Sequence, residues 1–106
     1  MSGYNFQGQN IIPSTPGQNG VKVLFGLEPG SPSTNTGTVT FSTPFTSAPT
    51  ILANIINQGQ VSLFTIDIYN ITTTTFNYAK YYYNTGAGGG VSASNSEPFN
   101  WVAIGN

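Results

Sequence analysis

A period of two runs through this chain and constrains its fold more than any other feature. Between Thr38 and Phe45, Val39, Phe41 and Phe45 are spaced by threonine and serine; Phe64, Ile66 and Ile68 fall on one side of a later run. The last run sets Phe99, Trp101 and Ala103 against Val102 and Ile104. Alternation of this kind buries one face of an extended strand and leaves the other outside. No segment develops the 3.6-residue recurrence of a helix, so an all-β fold follows.

Turn residues divide the chain into six expected strands. Val21–Leu27 is a β-prone run closed by the Pro/Gly/Ser/Thr-rich stretch from Glu28 to Gly37. Thr38–Phe45 is the second, with Pro44 near its end. Pro49 opens the third, and Gly59 separates it from the fourth, Val61–Ile71, so these two are read as strands joined at the Asn57–Gly59 turn. Thr72–Thr75 feeds the fifth, in which Phe76, Tyr78, Lys80 and Tyr82 face opposite to Asn77, Ala79, Tyr81 and Tyr83. Both faces carry aromatics, so one tyrosine row is expected to meet another subunit or a ligand. Gly86–Ser96 reads as a hairpin tip, and Pro98–Gly105 is the sixth strand. Regularly spaced short strands rich in β-branched residues predict an antiparallel sandwich.

Residues 1–20 show neither period and combine glycine, proline and glutamine. They are read as an extended anchoring arm, residues 21–106 as the sandwich domain. Tyr4, Phe6, Ile11 and Ile12 are costly to leave in water and are expected to dock on a partner surface.

Composition narrows the function. Over 106 residues there are two lysines, three acidic side chains, no arginine and no histidine. That excludes the basic stripe needed for nucleic acid. Catalysis needs a placed nucleophile, base or metal; without histidine or cysteine, and with Glu97 beside Pro98 and Asp67 mid-strand, no enzyme, cofactor or metal site is expected. Gly88–Gly90 lacks the lysine and threonine of a phosphate loop. Asn70-Ile71-Thr72 matches an N-glycosylation sequon, but no apolar signal segment follows Met1, and no run has the length of a membrane span. A folded chain this short hides only about 60–70 per cent of its unfolded surface, so further burial in an oligomer is expected.

The framework of Val39-x-Phe41, Pro44-Phe45, Pro49, Ile68-Tyr69, Phe76 and Trp101-x-x-Ile104 resembles the H-type lectin domain family and its relatives at phage and viral tail-fibre tips. The resemblance spans residues 38–105. It implies a six-stranded antiparallel β-sandwich that associates as a homotrimer, with carbohydrate sites near subunit boundaries. In snail-type members an arginine and a Trp-His pair grip N-acetylgalactosamine. Here Leu63 stands at the arginine position, and Tyr83 and Asn84 at the pair, where a ring could stack on a sugar and an amide bond its hydroxyls. Loss of the guanidinium removes a rigid multi-donor fork. The cysteines that brace the snail group are also missing.

Three readings follow. One is a virion or phage fibre knob, anchored through residues 1–20 to other particle proteins and touching host-surface glycans. Another is a purely structural capsid glue or decoration protein. The third is a free lectin, which the missing site residues disfavour.

Overall fold

The computed structural model describes residues 6–12, 20–30, 34–56, 63–83, 90–93 and 97–106. Within them the chain forms eight strands: β1 (Phe6–Ile12), β2 (Val21–Glu28), β3 (Thr36–Thr40), β4 (Thr50–Ile55), β5 (Leu63–Tyr69), β6 (Thr75–Tyr83), β7 (Val91–Ala93) and β8 (Phe99–Gly105). No helix occurs among the described residues. Sheet I runs β1-β2-β8-β4; in sheet II, β6 lies between β5 on one side and β3 and β7 on the other. All pairings are antiparallel.

The period-two runs place the core. Leu24, Phe99, Trp101 and Ala103 of sheet I pack against Val39 and Phe76 of sheet II, with Phe41 and Phe45 closing one side. The rings meet at angles that favour edge-to-face contact: Phe76 and Trp101 lie 5.5 Å apart at 73°, and Phe41 and Phe45 5.1 Å apart at 75°. On β8 the expected alternation holds, with Phe99, Trp101 and Ala103 buried.

Two strands exceed the six expected. β7 has three residues and falls in the Gly86–Ser96 stretch, too short to show a period. β1 falls in the segment read as an arm. It pairs along β2 from Phe6 opposite Leu27 to Ile12 opposite Val21. What holds it is polar. The Gln7 side-chain amide donates to the Thr40 carbonyl at 3.0 Å while its oxygen accepts from the Ser42 N–H at 3.0 Å, and Gln9 accepts from the Thr43 hydroxyl at 2.8 Å. A strand whose inward contacts are glutamine amides shows no apolar alternation.

Two further expectations change. β3 ends at Thr40, before Pro44, and Phe41 and Phe45 reach the core from the following segment, their N–H groups donating to the Thr74 and Thr73 carbonyls at 2.8 Å. β4 and β5 are not a hairpin pair: β4 is an edge of sheet I beside β8, and β5 an edge of sheet II beside β6. The chain therefore crosses between sheets where a turn back along one sheet was expected.

Candidate functional site

The outer face of sheet II is organised by register. Leu63 stands opposite Tyr83, and Tyr83 opposite Val91, giving one cross-strand row over three strands. Its members are 66, 50 and 67 per cent exposed, so the row is an apolar ledge in solvent. Behind it runs the row Thr65, Tyr81 and Ala93. Directly opposed residues on one face have Cβ atoms within about 5.5 Å, so the ledge is one contact surface.

This arrangement brings together two positions that the sequence landmarks selected. Leu63 and Tyr83 are paired across β5 and β6, with Tyr83 presenting its ring to solvent. Asn84 and Tyr4 lie outside the described residues. Phe6, Ile11 and Ile12 have their backbones in β1, where they pair with Leu27, Lys22 and Val21 of the same chain. Val91 was missed as a ledge residue because β7 was.

A second group is buried between the sheets. Lys80, on the inward face of β6, donates from Nζ to the Glu97 carbonyl at 2.6 Å. Its backbone is clamped by Asn35: the Lys80 N–H donates to the Asn35 carbonyl and Asn35 Nδ2 donates to the Lys80 carbonyl, both at 2.9 Å. Glu28, opposite Phe99 at the end of β2, is buried with Oε1 lacking a hydrogen-bond partner. Burial pushes its carboxyl up to about 7, and the Lys80 charge pulls only partly against that. Burial lowers the Lys80 ammonium, opposed by Glu97 and then Glu28. The Tyr78 phenol is raised, first by burial and then by Glu28.

Thus strand pairing assembles Glu28, Lys80 and Glu97, which sequence spacing left apart. The signal was a lysine on the face shared by Phe76, Tyr78 and Tyr82. Burying charges is costly unless they are paired, and these supply one another's counter-charge. The described residues contain no group of three metal-ligating side chains.

Two hollows lie among the described residues. A groove of 230 Å³ runs between the free edges of β4 and β5, lined by Ala53, Asn54, Ile55, Phe64, Thr65 and Ile66. A shallower hollow of 170 Å³, mostly apolar, lies on sheet I beside Leu52 and Val102. No family model, curated protein or solved structure matches this chain.

Proposed function

We propose that this chain is a non-enzymatic structural protein of a virion or phage-fibre type particle, a homotrimeric knob that contacts another surface through the outer face of sheet II. The observation that carries this reading is the Leu63–Tyr83–Val91 ledge. Three half- to two-thirds-exposed side chains in one row make a surface suited to an uncharged, partly apolar ligand. A phenol ring adds a stacking face and a hydroxyl, which suits a saccharide on the target surface. The particle setting and the threefold count rest on the resemblance of residues 38–105.

A second reading, a glue or decoration protein without a glycan site, is favoured by the ledge's own chemistry. Leu63 and Val91 flank Tyr83 with methyl groups in place of hydrogen-bond donors, which suits a protein surface better than a sugar. A glycan array probed with the intact chain decides between the two. Attachment predicts a signal reduced at least about tenfold in Tyr83→Ala, the loss of one central aromatic contact. Silence on every glycan, with the assembled state intact, rejects attachment through sugar and leaves the glue reading.

A further inference from the structure

The geometry points to the outer face of sheet I as the surface through which copies of this chain associate. This rests on the oligomeric reading above and assigns it a face. Strand alternation turns Leu24, Gly26 and Glu28 of β2, Phe99, Trp101 and Ala103 of β8, and Ile51, Ala53 and Ile55 of β4 toward the core. The intervening positions form the outer face, and three cross-strand rows cover it. The central row is Leu52, Val102 and Phe25. On either side run Thr50, Ile104 and Val23, and Asn54, Asn100 and Leu27.

Six of these nine side chains are apolar and none is charged. Leu52 is 59 per cent exposed, and Phe25, Leu27 and Ile104 are exposed as well. The same face continues onto β1, where Phe25 lies across Gly8 so closely that a Cβ there would meet its ring at 2.0 Å. The polar members Thr50, Asn54 and Asn100 lie in the two outer rows, Asn54 and Asn100 side by side, and leave the central row Leu52, Val102 and Phe25 wholly apolar, so that a dry centre is flanked by polar positions.

Charge and size favour a second copy as the occupant. A face without charge repels no like face, so self-association carries no electrostatic penalty. Four strands at ~4.8 Å spacing and the five residues that the rows span at ~3.3 Å rise give a patch of roughly 320 Å² in projection. That is within the range of apolar patches that mark interaction sites on monomers. Two such patches supply roughly 640 Å² in projection toward the ~1,000 Å² that a specific interface needs, before side-chain relief is counted. The 170 Å³ hollow beside Leu52 and Val102 offers a socket for an apolar side chain of the neighbour.

The test uses the intact chain and lysine substitutions at exposed positions. Light scattering across micromolar concentrations should show an oligomer for the unsubstituted chain. Leu52→Lys and Phe25→Lys should each weaken association at least tenfold with the far-UV circular dichroism of the fold retained, while Tyr69→Lys on sheet II leaves the mass unchanged. An oligomer indifferent to both sheet I lysines overturns this assignment without touching the oligomeric reading; a monomeric unsubstituted chain overturns that reading instead. The natural sequence has no cysteine, so Val102→Cys adds a single thiol as a second measurement. Its labelling by a maleimide should be slowed at least tenfold in the oligomer, and equal labelling in oligomer and dilute monomer would show that another partner, or none, covers this face.

Discussion

At the scale of single residues, the buried charges make the sharpest prediction. The Glu28 carboxyl titrates near 7 in the folded chain against 4.5 for an ordinary one. An acid whose folded value is raised holds its proton where the unfolded chain has released it. Stability is therefore highest below pH 4.5 as far as this group is concerned, and falls as pH rises from 4.5 to about 7. The fall is on the order of 3 kcal/mol, and Glu28→Gln, which cannot ionise, should flatten it. Urea unfolding at pH 5 and pH 8 measures both; equal slopes in the two proteins would contradict the environment assigned to Glu28. Gly26 supplies a second case. A Cβ there would lie 2.7 Å from the indole of buried Trp101, so Gly26→Ala should destabilise by about 1–3 kcal/mol through overpacking, read from the urea midpoint. Little of this was legible in the sequence. Glu28, Lys80 and Glu97 come together only through β2–β8 pairing and the stacking of two sheets, whereas Phe76 and Trp101 were legible as core because their own neighbours alternate with them.

At the scale of elements, the division is between what a strand shows alone and what its pairing decides. β5 and β8 carry their burial pattern in their own residues, and both alternations were read correctly, whereas in β6 the neighbours Ala79 and Lys80 are both buried. Partnership was not: β4 and β5 follow one another in sequence yet edge different sheets. β1 escaped notice because Gln7 and Gln9 occupy its inward positions and bond to the Thr40–Thr43 segment. Removing residues 1–12 should cost at least about 2 kcal/mol, since Gln7 and Gln9 alone contribute roughly 1 kcal/mol per hydrogen bond. It also turns β2, with exposed Val21, Phe25 and Leu27, into a free sheet edge prone to intermolecular pairing. Hydrogen exchange should show the β2 amides losing protection first; unchanged exchange there would mean that β1 contributes no cover.

At the scale of the whole molecule, the two outer faces differ in a way that no single strand reveals. Sheet I presents a broad uncharged apolar surface, and sheet II a narrow ledge centred on Tyr83 at one end, with the polar row of Thr38, Asn77 and Tyr69 at the other. One face suits permanent association with copies of the chain, the other contact with a separate surface. Of the candidate site, Leu63 and Tyr83 were singled out through the resemblance; their pairing, Val91 and sheet I's apolar face were not legible, because all three depend on which strands lie side by side. Self-association is the claim on which the rest depends, and the mass of the intact chain in solution tests it most directly. Sedimentation equilibrium at micromolar concentration should give three times the monomer mass, and a single species of monomer mass throughout that range would contradict it.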